Sequence, residues 1–398
     1  MAGPPGPVAR VRSALRTFLG HRLAAGEVAR DDLILIACSG GPDSLALAAA
    51  AAFVAPRLGL RVGAVHVDHG LQPGSAEVAE QTVAACAALG LAPSLAVRPA
   101  HPGEAELVAP GGPHTPVATD VPAATDRPDL PGTPGPGGPP APGGPEARAR
   151  TLRYTALEAT RQEQRACAVV LGHTQDDQAE TVLLALARGS GTRAIAGMAP
   201  VRGRLWRPLL SVTRADTEAM CRDAELPAWH DPTNALDGPW RTADGGPLPR
   251  AAIRHRVLPA LQEVLGPGVR AALSRTAEQA RDDADHLDAL AEQVWTRAAV
   301  TTTAPVQLEA AVLTAQPPAL RRRVLHRAAL AAGSPAGALG SVHVRRLEAL
   351  VTDWHGQGPV HLPGGLEGVR ECGRLVLRAA PSARTGGGRP DPTVDLEK

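Results

Sequence analysis

Apolar residues near the start of the chain fall at helical spacing with arginines between them: VARVRSALRTFLGHRL, from Val8, predicts an amphipathic helix. The pattern then changes to a short, wholly apolar run, LILIAC at 33–38, as expected of a strand buried on both faces of a parallel sheet. A helix-prone segment from Ser44 to Val54 follows, then a second strand in RVGAVHVDHG from Arg61 and a helical pattern over 75–89. ACAVVLGH from Ala166 predicts a third strand, and DDQAETVLLALARG an amphipathic helix closed by Gly189. Strands alternating with helices imply βαβ units, so the expected fold class is α/β, a parallel sheet covered by helices on both faces. Ligands in such sheets bind outside the carboxyl ends of the strands.

From about Arg98 to Pro145 the hydrophobic period disappears, and Pro, Gly, Ala and Thr dominate. Such a segment buries too little apolar surface to offset the entropy of ordering, so it is expected to be a disordered insertion. After a loop-rich stretch beyond Trp229 come PRAAIRHRVLPAL, a long helical run from Val269, and two further helices in PPALRRRVLHRAALAAG and SVHVRRLEALVTDWHG. Alternation in GPVHLPGGLEGVRECGRLVLRA predicts short strands around a Gly-Gly turn. The expected organisation is an N-terminal helix (1–30), a nucleotide domain (31–235, with 98–145 inserted), a linker with a long helix (236–300), a mainly helical second domain with a short β element (301–381), and a frayed tail (382–398).

Composition narrows the chemistry. Hydrophobic content of 44%, charge of 20% and a net charge of +1 describe a globular protein with no global field toward nucleic acid or membrane. The basic residues are arginines except for Lys398, which excludes a P-loop lysine, a Schiff-base lysine and a lysine nucleophile within the fold. Five cysteines form no CxxC pair, which suits reduced thiols in a cytoplasmic protein. The longest apolar run, Ser44 to Pro56, is shorter than the ~20 residues needed to cross a bilayer, so no membrane partner is expected.

The candidate chemistry lies at strand ends. IACSGGPDSLAL, from Ile36, sets a glycine turn between a buried strand and a helix start, where backbone N–H groups and the helix dipole make an anion site without a cationic side chain. A glycine pair alone is an ordinary turn; Ser-Gly-Gly-x-Asp-Ser directly after a buried strand is more specific, and it points to phosphate. Ser39 and Ser44 add hydroxyls, and Asp43 is placed either to cap the helix or to hold a metal ion near the phosphates. VHVDHGLQPGS carries His66, Asp68 and His69, a weak metal signal that is equally a polar strand end. In LGHTQDDQAET, His173 closes a strand, Asp176 sits at an expected helix N-cap, and Asp177 and Glu180 share one helix face. Carboxylates there either complement the helix dipole or make a pocket for a small cation.

SGGPDS resembles the signature of the N-type ATP pyrophosphatases, which bind ATP in this loop and cut between its α and β phosphates. With HVDHGL, EARARTLRYTALE from Glu146, LGHTQDDQAETVLLALARGSG, WRPLL from Trp206, WHDPTN from Trp229 and RAAIRHRVLPAL from Arg250, the chain resembles the tRNA(Ile)-lysidine synthetases in particular. The resemblance covers most of residues 30 to 290 and, more weakly, a C-terminal helical substrate-binding domain. It implies that ATP adenylates O2 of the wobble cytidine in a tRNA(Ile) with a CAU anticodon, after which free lysine attacks C2 and AMP leaves.

Carried onto this chain, Ser39, Gly40, Gly41, Pro42, Asp43 and Ser44 hold ATP phosphates, with Asp43 and Asp68 toward Mg²⁺. His173, Asp177 and Glu180 belong to the lysine-facing and catalytic side, and Arg250 and Arg254 to the phosphate or cytidine. The chain departs from the family pattern in its long insertion, in DGPWRTADGGPLP before Arg250, and in Ala251, where asparagine is common. The departures near Arg250 leave open which arginine reaches the site, and assembly into a homodimer is also open.

Arg321, Arg322, Arg323 and Arg327 form a basic group on an expected helix, with Arg345 and Arg346 on the next. They are candidates for tRNA phosphates or, equally, a solvated face. The small number of aromatics argues against a multi-aromatic base-stacking platform of the RNA-recognition type. The alternatives are a tRNA-thiolating enzyme of the same superfamily, disfavoured because Cys38 and Cys167 fall in apolar strands, and a non-catalytic RNA-binding module.

Overall fold

The computed structural model describes residues 6–70, 74–99, 106–108, 145–189, 191–242 and 244–381. The chain divides into two compact units, Met1–Ala284 and Asp285–Lys398.

In the first unit the strands are β1 (Leu33–Ala37), β2 (Arg61–Val67), β3 (Ser94–Arg98), β4 (Glu106–Val108), β5 (Ala168–Leu171), β6 (Val201–Arg202) and β7 (Leu205–Trp206). Their spatial order is β4-β3-β2-β1-β5-β7-β6. β1 runs parallel to both β2 and β5, β3 continues parallel to β2, and only β4 and β6 are antiparallel. The order turns back between β1 and β5. This is the topological switch point, where the loops leaving two adjacent strand ends part to opposite faces and open a crevice.

The alternation within β1 explains its burial. Ile34 and Ile36 enter one core with Leu15, Leu19, Leu45, Leu47 and Met220, while Leu33 and Leu35 enter the other with Tyr154 and Leu157. Each such fully buried side chain contributes about 1.5–3 kcal/mol. The first core is closed by α1 (Gly6–Ala24), α2 (Pro42–Arg57), α3 (Ser75–Ala88) and, later in the chain, Met220 and Cys221; the second by α4 (Pro145–Glu163). α5 (Gln175–Ala187), α6 (Thr192–Ile195) and α7 (Arg214–Asp223) follow. A continuous helical stretch then runs from α8 (Pro249–Ala252) through a π-turn (Ile253–Val257) into α9 (Leu258–Leu265). Ile253 and Leu258 pack on Ala179 of α5, which ties this stretch to the strand ends.

Two expectations are corrected. The segment expected to be disordered from Arg98 to Pro145 is structured at its ends: Arg98 belongs to β3, Glu106–Val108 pairs antiparallel with β3, and Pro145 opens α4. A three-residue edge strand carries too little periodicity to be read from sequence; residues 109–144, like the expected tail from 382, lie outside the described residues. The second unit begins within α10 (Val269–Ala298), not at 301, because an unbroken helix offers no change of period at the division.

The second unit contains β8 (Ala299–Thr301), β9 (Val306–Glu309), α11 (Ala310–Thr314), α12 (Pro318–Ala331), α13 (Ser341–Thr352), β10 (Val360–Leu362), β11 (Leu366–Glu371) and β12 (Arg374–Ala379). Its strands form one antiparallel sheet in the order β10-β11-β12-β9-β8. The helices bury Val324, Leu325, Leu347 and Leu350 against Leu375 and Leu377. The β element is thus a five-stranded sheet, larger than the hairpin pattern suggested. Among the described residues no helix is long and apolar enough to cross a membrane.

Candidate active site

The loop leaving β1 is built by its serines and opened by its glycines. The Ser44 hydroxyl donates to Gly41 O at 2.9 Å and accepts from Ser39 N at 3.1 Å, so this buried serine fastens the loop from inside. Ser39, by contrast, is exposed. Gly40 has φ +83°, and a Cβ there would lie 2.6 Å from Thr82 Oγ1. Its carbonyl accepts from Trp229 N at 2.9 Å, so the neighbouring loop takes the oxygen of Gly40. Pro42 starts α2, and the amides of the first turn have no acceptor within the helix. Together they form a concave row of donors at a helix N-terminus, suited to an anion.

The loop leaving β5 lies directly against this one. A Cβ on Gly172 would stand 2.9 Å from Asp43 O, so glycine permits the approach. The N-cap of α5 is Thr174, not Asp176 as the sequence suggested. The Asp177 carboxylate accepts from Thr174 N at 2.9 Å and Thr174 Oγ1 at 3.1 Å. Asp176 is thereby freed to accept from Arg214 N at 2.8 Å, at the first turn of α7, and to pair with Arg270 at 2.8 Å.

Four carboxylates meet four guanidiniums here. Arg214 reaches Asp177 at 2.8 Å, Asp43 at 3.3 Å and Glu180 at 3.3 Å. Glu180, with no exposed surface, also accepts from Arg250 Nε at 2.8 Å and Arg254 Nε at 2.7 Å. Arg250 and Arg254 stand one turn apart where the helix widens into the π-turn, and both reach the same carboxylate. The sequence left open which arginine arrives; both do. The carboxylates therefore form no bare anionic pocket, since each has an arginine partner.

Burial raises the Asp43 pKa to about 6, against the pull of Arg214 and with the push of Asp177. For Asp177 burial pushes the pKa up, but Arg214, His173, Arg250 and the Thr174 amide together outweigh it, and the pKa falls to about 2. Burial lowers His173 to about 3, and Arg207, Arg250 and Arg150 oppose its protonation, so the imidazole is neutral. Its Nδ1 is buried without a hydrogen-bond partner among the described residues.

The end of β2 is otherwise engaged. Asp68 accepts from Arg98 at 2.6 Å and from Gly70 N at 2.9 Å, and His66 Nδ1 is 3.0 Å from Cys38 O. His69 Nε2 accepts from Arg153 Nε at 2.9 Å, and burial, then Arg153, lowers its pKa to about 4. Among the described residues no group of three or more His, Cys, Asp or Glu is arranged to hold a metal ion.

In the second unit the basic group on α12 does not stand free. Arg321 is buried, paired with Glu348 at 2.9 Å and bonded to Gln316 O at 2.7 Å. Arg322 pairs with the same Glu348 at 2.6 Å, Arg323 with Asp288 at 2.7 Å, and Arg327 with Glu292 while lying over the Trp295 ring. These arginines support the packing of α10, α12 and α13.

Sequence reasoning missed Arg214, Arg270 and Thr217, whose hydroxyl donates to Asp43. The available signal was the N-cap pattern Thr-Arg-Ala-Asp, in which Thr213 accepts from Asp216 N. An arginine just inside a helix N-terminus opposes the dipole, so its place is explained only by the carboxylates it meets.

A glycine nest at the end of β1, set across the switch point from clustered carboxylates and arginines, defines an ATP-utilising PP-loop protein. A PP-loop domain model matches residues 12–100 and 141–261, and a TilS substrate binding domain model matches 308–376. The chain is 46% identical over 379 residues to tRNA(Ile)-lysidine synthase of Thermobifida fusca, covering 95% of this chain and 100% of that one. It is 47% identical over 349 residues to that of Streptomyces coelicolor, covering 87% and 85%. A looser likeness, at 15% identity and a TM-score of 0.48, is to a tRNA thiolase from Methanococcus maripaludis, covering 69% of this chain and 79% of that one. The chain belongs to the tRNA(Ile)-lysidine synthase family, ATP-dependent ligases of the PP-loop class.

Proposed function

We propose that this protein joins the side-chain amine of free lysine to C2 of the wobble cytidine in tRNA(Ile) with a CAU anticodon, in the cytoplasm. Cytidine O2 attacks the α-phosphorus of ATP, the α–β bond breaks, and pyrophosphate leaves. The lysine amine then attacks C2, loses its proton, and AMP departs with the former O2. The observation that carries this reading is the contact of the two loops through Gly172, which sets the amide row of Gly40 and Gly41 beside the cluster of Asp43, Asp177 and Glu180.

In this reading the amides of Gly40, Gly41, Asp43 and Ser44 and the exposed Ser39 hydroxyl hold the phosphates, with Pro42, which has no amide hydrogen, fixing the helix start. Asp43 would be the carboxylate that faces the Mg²⁺ accompanying ATP. A carboxylate whose charge is disfavoured by burial and by Asp177 gains from a nearby dication, which supports that assignment. Asp68 acts through Arg98, keeping the end of β2 in place. Asp177 receives the lysine ammonium, and neutral His173 supplies an uncharged acceptor near the amine. Glu180 anchors Arg250 and Arg254, which stabilise charge on the phosphates and cytidine as AMP leaves.

Incubation with ATP, radiolabelled lysine and unmodified tRNA bearing CAU tests the reading. Label is expected to enter tRNA only when all three are present. Binding without incorporation points to a non-catalytic module, and dependence on a sulfur donor to thiolation. Asp177→Asn is expected to raise the KM for lysine at least ~10-fold, about 1.4 kcal/mol, while KM for ATP stays within about twofold; an unchanged lysine KM refutes that placement.

A further inference from the structure

We propose that Trp354, just beyond the end of α13, is a stacking platform for an unpaired base of the bound tRNA, flanked by Arg370, Arg345 and Arg346 for its phosphates. This rests on the reading of the protein as a tRNA-modifying enzyme and names a place where the RNA is held.

The protein has eight aromatic residues, and Trp354 is the one among them that is exposed, at 41%. It takes no part in the hydrophobic core of its unit. The ring is nevertheless held in place: the Arg370 guanidinium lies 5.7 Å from its centroid and donates to Leu350 O at 3.1 Å and Val351 O at 3.0 Å, the last carbonyls of α13. An indole backed by a fixed cation and open to solvent offers a preset π-face, and base stacking on such a face needs no particular sequence.

Charge around the ring favours a polyanion. Arg345 and Arg346 are exposed on α13, roughly 10 Å from its end at 1.5 Å per residue, and neither enters an ion pair among the described residues. This separates them from Arg321, Arg322, Arg323 and Arg327, whose charges are matched. Glu348 of the same helix is paired with Arg321 and Arg322, and Glu371, next to Arg370 on β11, with Arg378. The segment also lies inside the matched substrate binding domain, 308–376.

The test uses the full-length protein and CAU-bearing tRNA. Trp354→Ala is expected to weaken tRNA binding, measured by filter retention, roughly 5- to 100-fold, the range for loss of one base–aromatic stack, with KM for ATP and lysine unchanged. Trp354→Phe is expected to restore most of the affinity. Arg345→Ala with Arg346→Ala is expected to flatten the slope of log affinity against log salt by about 1 to 2, a readout that a folding defect does not mimic. Trp354→Ala binding tRNA within twofold of the parent, or an unaltered salt slope in the double variant, overturns the proposal. If the parent incorporates lysine but Trp354→Ala binds normally, the platform alone fails. If the parent binds tRNA through Trp354 but transfers no lysine, the ligase reading alone fails.

Discussion

The guanidinium of Arg214, at the first position of α7, lies 2.8 Å from the carboxylate of Asp177 on α5, and from there it reaches Asp43 and Glu180. One side chain thus holds together the acids of two loops that belong to different strands. Without it, the buried Asp177 and Glu180 and the half-buried Asp43 would face one another with less compensation, and desolvation already lifts the Asp43 pKa to about 6.

Arg214→Met should therefore destabilise the first unit by about 3–5 kcal/mol, the usual effect of removing one partner from a buried ion pair. Arg214→Lys keeps the charge but loses the fork that reaches several acids, and should fall between. Urea unfolding of both variants checks this. A Met variant as stable as the parent would show that the cluster does not need its hub.

Gly40→Ala places a β-carbon 2.6 Å from Thr82 Oγ1 at a residue with φ +83°, so the phosphate loop must shift. The expected result is at least a ~10-fold rise in KM for ATP, equivalent to about 1.4 kcal/mol. Gly90→Ala is the control: φ is +85° there, but nothing lies within 4 Å of the added carbon. It should cost about 1–2 kcal/mol of stability and leave ATP use unchanged. Equal effects of the two variants on KM would contradict a phosphate-holding role for the loop.

His173 is held neutral, with a folded pKa of about 3 against roughly 6.5 for a free histidine. Between those values the unfolded chain binds the proton and the native chain does not. Stability therefore rises with pH across this window and is lost as pH falls through it, at up to about 1.4 kcal/mol per pH unit. Burial lowers His66 and His69 too, which adds to the same trend. His173→Gln should narrow the gap between urea midpoints measured at pH 4.5 and 6.5; an unchanged gap would mean that the imidazole is not buried neutral.

Arg321→Met tests the paired character of the α12 arginines. Glu348 would lose its buried partner, and the second unit should lose about 3–5 kcal/mol of stability. The salt dependence of tRNA binding should stay as in the parent, since this charge is turned inward. A flatter salt slope at full stability would instead put Arg321 on the RNA.

The glycine loop after β1 was legible in the sequence because every part of it is local. A buried strand, two glycines, a proline and a serine follow one another closely, and the end of the wholly apolar run LILIAC fixes where the loop emerges. The same locality made α5, α10, α12 and α13 readable from their periods. Side-chain partners over long separations were not readable. Arg214 joins Asp43 across 171 residues and Arg254 joins Glu180 across 74, and no spacing rule reaches so far. The basic group on α12 shows the reverse case, since its sequence is the same whether its charges face solvent or Glu348, Asp288 and Glu292. Sequence by itself determined where a glycine turn joins a buried strand to a helix start, because turn geometry and hydrophobic period are properties of neighbours. Only the tertiary structure decided which charges are spent on one another and which, like Arg345 and Arg346, remain turned outward, because pairing depends on which surfaces the packed core brings together.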